Sequence, residues 1–312
     1  MWICHSERPL KEEELCQALA VEIGSTEYNT DNVSSISTVL SCCQGLVVMD
    51  KEESALRLVH STLQEHLTIH PNLFQGPHAT IAETCLTYLN SEPVLALSAS
   101  GSLSAQHTPF LKYSAIYWGA HMKKEFTHRG KMLALKLFSH YERHISVKLL
   151  LEHVIGSSIS IINSYKFTAL HCACMFGLVE VASALIEMGG VDLNCIDHTG
   201  ATPLTWAARH GEVGVVRLLL ARGDVNLRMR DVSGQTPILW AAQHGHREVV
   251  QLLLEHKGSN PTKQGNDGRP DPEDSPPVIP PTDDTEAEII IAVIGSTGNI
   301  HMHLKPVVYQ LR

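Results

Sequence analysis

The chain has 312 residues, of which 44% are hydrophobic, 18% charged and 5% aromatic. This apolar fraction suffices for one large domain or two to three small ones, and it excludes a chain that is disordered throughout. The net charge of −9 arises mainly in residues 1–92, which hold four basic residues against thirteen acids. Because nucleic-acid affinity comes mostly from lysine and arginine displacing counterions, this acidic segment disfavours nucleic-acid binding.

Membrane insertion is also disfavoured by the composition. The longest uninterrupted apolar run, Ile289 to Ile294, is far shorter than the roughly 20 residues that a membrane helix needs. The eight cysteines show neither a disulfide framework nor a preceding signal peptide. We therefore expect reduced thiols, no membrane association and a cytoplasmic location.

The first 92 residues have the element order of a winged helix. Pro9 and three following glutamates predict the start of a first helix, whose apolar residues share one face. The predicted elements are helices over residues 9–21, 32–43, 61–67 and 77–89, with two strands over 45–49 and 55–59. Two helices followed by a β-hairpin predict a winged-helix domain over residues 1–92.

Four phrases in this segment carry a closer resemblance: Trp2 to Leu10, Glu14 to Leu19, Leu58 to Leu67 and Ile81 to Leu89. They resemble the inositol-deacylase winged helix that follows the NACHT ATPase module in fungal signalling NTPases of the STAND type. The resemblance implies a domain that packs on an ATPase and helps to hold it inactive. It implies no lipase activity, because the chain lacks a Gly-x-Ser-x-Gly nucleophile elbow.

DNA binding is the other role that winged helices commonly have. The helix that would enter the major groove, residues 32–44, contains no lysine or arginine. The predicted wing offers only Lys51 and Arg57 among acids. Charge therefore favours a protein partner over nucleic acid for this domain.

A connector over residues 93–162 follows, and it is predicted to be helical. It holds eight basic residues against three acids. This reversal of charge favours a connector that partners the acidic first segment rather than a DNA site.

An internal repeat dominates residues 163–261. Three segments align at an offset of 34 residues: Thr168 to His171, Thr202 to Thr205 and Thr236 to Leu239. Each is followed at a fixed distance by a glycine (Gly177, Gly211, Gly245) and then by an apolar run. The coincidence of several features at one period predicts about three copies of one structural unit.

Each unit is predicted to be a helical hairpin. Threonine caps a helix start, and the proline that follows in Thr202-Pro203 and Thr236-Pro237 suits the first turn. The later glycine permits a left-handed turn that reverses the chain into a second, amphipathic helix. Since neither helix can bury its apolar face alone, neighbouring hairpins must stack into a solenoid.

These units resemble ankyrin repeats, whose T-P-L-H-x-A-A-x-x-G-H pattern is matched closely by Thr202 to Gly211 and by Thr236 to His246. The first unit departs from the pattern at Lys166 and Ala169 but keeps the histidine of the family as His171, and we expect it to act as a cap. The predicted fold is therefore mainly α: a winged helix, a helical connector and an ankyrin-repeat α-solenoid.

The resemblance implies a protein partner that binds the turn tips and the inner face of each first helix. Carried onto this sequence, that surface comprises Met175, Phe176, His198, Thr199, Ala201, Arg209, His210, Val232, Ser233, Gln235, Gln243 and His244. The alternative interpretation is that these positions are only solvated. Trp206 and Trp240, one period apart, either form a recognition pair or seal adjacent repeats.

The C-terminal part has two predicted segments. Residues 262–288 are rich in proline and acid and are predicted to be a disordered linker. Residues 289–312 begin with a strand-like run that leads into Gly295 to Gly298, as in a P-loop. Ile300, His301 and Met302 occupy the places where Gly-Lys-Ser/Thr would be needed, so we expect a truncated or degenerate P-loop without nucleotide binding.

Catalytic, cofactor and metal sites are not predicted from the sequence. His60, His66 and His70 are the nearest approach to a metal motif, but only the last two share a helical face. Cys172 and Cys174 lack the two-residue spacer of zinc or redox motifs.

The sequence thus predicts a non-catalytic protein-interaction module that uses the inner face of its ankyrin repeats within a NACHT/STAND-type signalling architecture. The identity of its protein partner is left open. The alternative is a regulatory fragment of a signalling NTPase, whose winged helix docks on an ATPase module in trans.

Overall fold

The structure is a computed structural model that describes residues 1–50, 52, 54–70, 73–100, 108–155 and 166–259. The predicted linker (262–288) and the P-loop-like segment (289–312) lie outside the described residues. The chain divides into two compact units. Unit 1 comprises Met1–Asp192 and Ile196–His198, and unit 2 comprises Leu193–Cys195 with the described residues from Thr199 onward.

Both units are mainly helical, as predicted. The helices of unit 1 are α1 (Trp2–His5), α2 (Glu12–Leu19), α3 (Ile36–Cys42), α4 (Ser61–Ile69), α5 (Pro77–Leu89), α6 (Glu92–Ser100), α7 (Phe110–Lys124), α8 (His128–Phe138), α9 (Ile145–Ile155), α10 (Ala169–Phe176) and α11 (Val179–Glu187). The helices of unit 2 are α12 (Pro203–Arg209), α13 (Val213–Leu220), α14 (Pro237–Gln243) and α15 (Arg247–Ser259).

A two-stranded antiparallel hairpin, β1 (Val47–Asp50) and β2 (Ala55–Leu58), lies where the wing was predicted. Its register pairs Val48 with Arg57, and Arg57 forms an ion pair with Asp50 at 3.4 Å. The backbone N–H of Leu56 donates to the carbonyl of Leu10 at 2.9 Å, so the chain before α2 adds to the exposed edge of β2. This pairing satisfies part of an edge that would otherwise stay open.

Two predicted helices begin later than the sequence suggested. The prediction started the first helix at Pro9, but Lys11 is extended and forms a bridge with Ala55, so α2 begins at Glu12. The prediction started the second at Asn32, but the Ser35 hydroxyl caps α3 by accepting from the backbone N–H of Thr38 at 3.3 Å. Strand pairing in one case and capping in the other thus decide where the helix starts.

The core of unit 1 is built around α5, which packs on both α7 and α8. α5 spans the predicted residues, begins with proline and buries most of its side chains. The large side chains that are fully buried here include Ile81, Leu86, Phe110, Tyr113 and Trp118. Burial of these side chains stabilises unit 1, at about 25 cal/mol per Å² of apolar surface removed from water.

The first repeat, α10 and α11, also belongs to unit 1. α10 packs on α7 and α11 packs on α8, so the connector helices continue the stack. We predicted that this repeat caps the array. It is instead covered by helices on its N-terminal side, because the Phe176 ring packs on Trp118 and lies over Gly119.

The repeats share one way of turning from the first helix into the second. The backbone N–H of Leu178 donates to the carbonyl of Ala173 at 2.9 Å, and Glu212 and His246 repeat this bond one and two periods later. The glycine between the helices has positive φ in each case, for example 71° at Gly211. This is the Schellman geometry, which favours glycine at its left-handed position. Because each repeat needs that glycine, the period of 34 residues can be recognised in the sequence.

Candidate functional site

The turn tip of the third repeat is held by one carboxylate in unit 2. Oδ1 of Asp231 accepts from the backbone N–H groups of Ser233 (2.9 Å) and Gln235 (3.0 Å). Oδ2 accepts from Nε1 of Trp240 at 2.7 Å, which ties the turn to α14. A surface fixed in this way loses little conformational entropy when a partner binds.

A cation–aromatic cluster lies beside this turn. The guanidinium carbon of Arg209 is 4.5 Å from the ring centroid of Trp240 and 5.5 Å from that of Trp206. Two histidine rings extend the group, with His210 against Trp206 and His244 against Trp240. We call this group the Trp–Arg–His cluster, and its members are Trp206, Arg209, His210, Trp240, His244 and His246.

His246 links the second and third repeats within unit 2. Its Nε2 donates to the carbonyl of Arg209 at 3.0 Å, and its ring occupies the space that a side chain at Gly211 would need. The neighbouring His244 donates to the carbonyl of Trp240 at 3.0 Å. Burial lowers the pKa of His244, and the nearby Arg209 and His246 lower it further. The guanidinium of Arg209 carries a positive charge at neutral pH.

The structure places the sequence-predicted binding residues in three groups. His198, His210, Val232 and His244 are exposed, and Val232 has 63% of its surface accessible. Those with intermediate exposure are Thr199, Arg209, Ser233, Gln235, Gln243 and Phe176, whereas Met175 and Ala201 are buried. Their role in binding a partner stays a prediction.

Met175 and Phe176 make contacts that the sequence did not suggest. Met175 retains only 4% of its accessible surface, and the ring of Phe176 lies 5.4 Å from that of Trp118. These two side chains are therefore engaged in the packing of unit 1. Nothing in the repeat pattern signals this contact, because Trp118 lies in the connector.

The two tryptophans that are one period apart have different environments. Trp206 is buried, at 2% exposure, whereas Trp240 is half-buried. Trp206 thus contributes mainly to packing, and Trp240 presents part of its ring on the surface. His246, which sequence reasoning did not select, joins them through its bond to Arg209; its place in the family's glycine–histidine pair was the available signal.

The histidines weighed as a metal motif in the sequence have other roles. His60 caps α4 by accepting from the backbone N–H of Thr62 at 3.2 Å. His70 donates to the carbonyl of His66 at 2.9 Å. A different group of three potential metal ligands lies in unit 1: Glu7, His78 and His121. No spacing in the sequence indicates this group, because its residues come from three separate elements.

The eight cysteines are free thiols in the structure. Cys85 and Cys172 are fully buried, and burial raises the pKa of both thiols to about 12. They are therefore protonated at neutral pH and serve as small core residues. Within the described part of the chain, no helix combines the length and apolar character needed to cross a bilayer.

Comparison with known families supports this architecture. A family described as "Ankyrin repeats (3 copies)" matches residues 104–197 and 185–265, and the two matches together cover more than half of the chain. Its first match starts within the segment that we predicted as a connector. A family described as "GPI inositol-deacylase, winged helix domain" matches residues 1–74.

Two solved structures match with short alignments. One is described as the Bd0816 predatory endopeptidase from Bdellovibrio bacteriovorus in complex with immunity protein Bd3460: 33% identity, 31% of this chain, 49% of that chain and a TM-score of 0.28. The other is the human ASB11 ankyrin repeat domain: 29% identity, 28% of this chain, 38% of that chain and a TM-score of 0.27. The chain thus spans less than half of the length of either structure. A comparison with curated proteins found no match.

Ankyrin repeats are typically non-catalytic modules that bind other proteins through their extended concave surface. The periodic Thr-Pro helix starts, the repeated Schellman turns and the extent of the family match all agree on this assignment. The chain belongs to the ankyrin-repeat family.

Proposed function

We propose that the chain is a cytoplasmic protein-interaction subunit of a NACHT/STAND-type signalling system, and that its partner binds unit 2 at the turn tips and the Trp–Arg–His cluster. The supporting observation is the position of Arg209 between two indole rings, with Trp240 half-exposed. Aromatic and arginine side chains held rigidly are the residue types that most often dominate binding energy at interfaces.

Charge indicates what such a partner would present. The guanidinium of Arg209 lies against the rings of Trp206 and Trp240, and burial lowers the pKa of the neighbouring His244. A carboxylate on the partner would form a charge-assisted hydrogen bond with this guanidinium. The proposed partner is therefore a protein segment with an acidic residue flanked by apolar ones, the latter contacting Val232 and Trp240.

The test is capture of partner proteins by the full chain from cells that express it, with wild type and two variants compared. Arg209→Glu reverses the charge in the cluster and is expected to abolish capture. Arg222→Glu makes the same change at an exposed position of unit 2 outside the cluster and should retain capture. Circular dichroism of each variant confirms that the fold is kept.

A second function is favoured by the apolar surface of the winged-helix segment. Leu46 and Val59 are joined by a backbone hydrogen bond at the base of the hairpin and remain 51% and 52% exposed. Such a surface suits docking on an ATPase module in trans, as the resembled signalling NTPases imply. α3 carries no lysine or arginine, which disfavours nucleic acid as its partner.

The two functions are separated by the double variant Leu46→Asp with Val59→Asp. If this variant loses the captured protein while Arg209→Glu keeps it, the winged helix is the binding surface and the first proposal is wrong. If both variants keep the partner, both surfaces are wrongly assigned.

A further inference from the structure

Three potential metal ligands meet in unit 1 where the first turn of α5 lies beside the C-terminal half of α7. Glu7 comes from the segment after α1, His78 from α5 and His121 from α7. One ligand atom of each lies within 4.8 Å of the other two. The Nδ1 atoms of His78 and His121 are 2.8 Å apart, and Nδ1 of His121 is 3.9 Å from Oε1 of Glu7.

A single proton lies between the Nδ1 atoms of the two imidazoles. Two Nδ1 atoms at 2.8 Å form a hydrogen bond only if one carries hydrogen and the other presents its lone pair. Nε2 of His121 is 2.8 Å from the Tyr113 hydroxyl, which also accepts from the backbone N–H of Glu7 at 3.1 Å. A divalent cation can replace the shared proton, which then moves to Nε2 of the same ring and leaves both rings neutral.

We propose that Glu7, His78 and His121 bind one divalent cation of the zinc class, with water completing a tetrahedral shell. Two imidazole nitrogens and one carboxylate oxygen are a ligand set that zinc commonly takes at a site that keeps one open position. Tetrahedral zinc at ordinary bond lengths sets its ligand atoms about 3.3 Å apart. The observed 2.8 and 3.9 Å each differ from that spacing by only about half an ångström.

The surroundings hold the ligands in place. Oε2 of Glu125 accepts from the backbone N–H groups of His78 and Ala79, both at 3.0 Å, and so fixes the start of α5 to the end of α7. The Tyr113 hydroxyl orients the His121 ring from the far side. Outer contacts of this kind orient the ligands in known metal sites and commonly change metal affinity 10–100-fold.

Protonation also suits metal binding. His121 has no accessible surface, and burial lowers its pKa to about 4. Burial likewise lowers the pKa of His78, and the nearby Lys124 and His5 add to this effect. Neutral imidazole is the form that binds metal, and the tautomer change described above places both lone pairs on Nδ1.

The ammonium group of Lys124 lies next to Glu7, at the position that the proposed metal ion would take. Its Nζ lies 2.7 Å from Oε1 of Glu7, where it neutralises the carboxylate. The lysine side chain is 50% exposed and can turn into water, whereas the histidines remain in position. A metal ion at this point would replace the ammonium and join the segment after α1 to α5 and α7.

The experiment measures Zn²⁺ affinity of the full chain by competition with a chelating dye, and uses Co²⁺ absorption to report tetrahedral geometry. Wild type is expected to bind one ion. His78→Gln and Glu7→Gln are expected to weaken this affinity at least about tenfold. Lys124→Gln removes the competing positive charge and should tighten binding by about threefold. If Glu7 and Lys124 only stabilised the fold, Glu7→Gln and Lys124→Gln would not change the zinc affinity in opposite directions.

His66→Gln is the matched control, because His66 and His70 form a separate histidine pair with ring centroids 4.3 Å apart. This variant should bind zinc as wild type does. Zinc should also raise the melting temperature of wild type and of His66→Gln, but not that of His78→Gln. The proposal is overturned if His66→Gln loses the site, or if Glu7→Gln and His78→Gln keep wild-type affinity.

Discussion

Some histidine and tryptophan side chains that are buried in unit 1 have counterparts at the surface of unit 2. In unit 1 His121, His144 and Trp118 are buried, whereas in unit 2 His210 and His244 are exposed and Trp240 is half-buried. α5 packs on α7, α8 and other helices, whereas the last residues of α12 and α14, Arg209 and Gln243, are partly exposed. An abundance of histidine or tryptophan in a sequence therefore says little about function until the burial of each side chain is known.

The largest expected effect compares one tryptophan from each unit. Trp118→Ala should lower the free energy of unfolding by about 4 kcal/mol, because it opens a cavity in a fully buried site. Trp240→Ala should cost about half as much, through loss of the indole bond to Asp231 and of partial burial. Urea unfolding followed by far-ultraviolet circular dichroism measures both, and equal losses would break the comparison.

The second expected effect is a loss of stability on acidification, caused by a buried histidine of unit 1. Burial lowers the pKa of His144 to about 4, well below the ordinary 6.5 that applies once the chain unfolds. Between these pH values the unfolded state binds more protons, so the free energy of unfolding falls as pH decreases. The total loss for this group approaches about 3 kcal/mol at pH 4. Urea titrations at several pH values measure the slope.

The control for this pH dependence exchanges a histidine of the other unit. His144→Gln should remove about half of the slope between pH 6.5 and 4, because burial also lowers the pKa of His121 to about 4 and that residue remains. His244→Gln, at an exposed position, should leave most of the slope unchanged. A slope that follows His244 instead of His144 would contradict the contrast between buried and exposed histidines.

The smallest effect concerns one glycine from a helix of each unit. Gly119→Ala should lower the free energy of unfolding by about 1–2 kcal/mol, because a β carbon there would overlap the ring of Phe176. Gly214, which is exposed within α13, should respond to the same change with a gain of about 0.5–1 kcal/mol. Adding Phe176→Ala should make Gly119→Ala nearly neutral, and its failure to do so would exclude this contact as the cause.

Local and periodic features of the fold were predictable from the sequence. The bounds of α5 follow from a proline at its first position and a polar stretch after Leu89. The repeats were evident because capping threonines, prolines and glycines recur at one spacing, and each has a local geometric role. The exposed turn tip at Val232 followed from the same period.

Features that depend on distant packing were not predictable. The start of α2 was placed too early because nothing near Lys11 indicates its pairing with Ala55. The contact of Phe176 with Trp118 depends on how a connector helix meets a repeat helix. The approach of Glu7 to His78 and His121 likewise requires three elements to be in place, so no spacing in the sequence reveals it.

The contacts that join the first residues to α7 have a consequence for synthesis on the ribosome. Oε1 of Gln17 accepts from the backbone N–H of Phe110, 93 residues later, and Glu7 pairs with Lys124, 117 residues later. At translation rates of about 5–20 residues per second, Gln17 waits about 5 seconds or longer for Phe110, and Glu7 waits about 6 seconds or longer for Lys124. During that interval apolar residues such as Leu10 and Leu15 lack their final cover. The nascent chain is thus a natural client for chaperones that bind early.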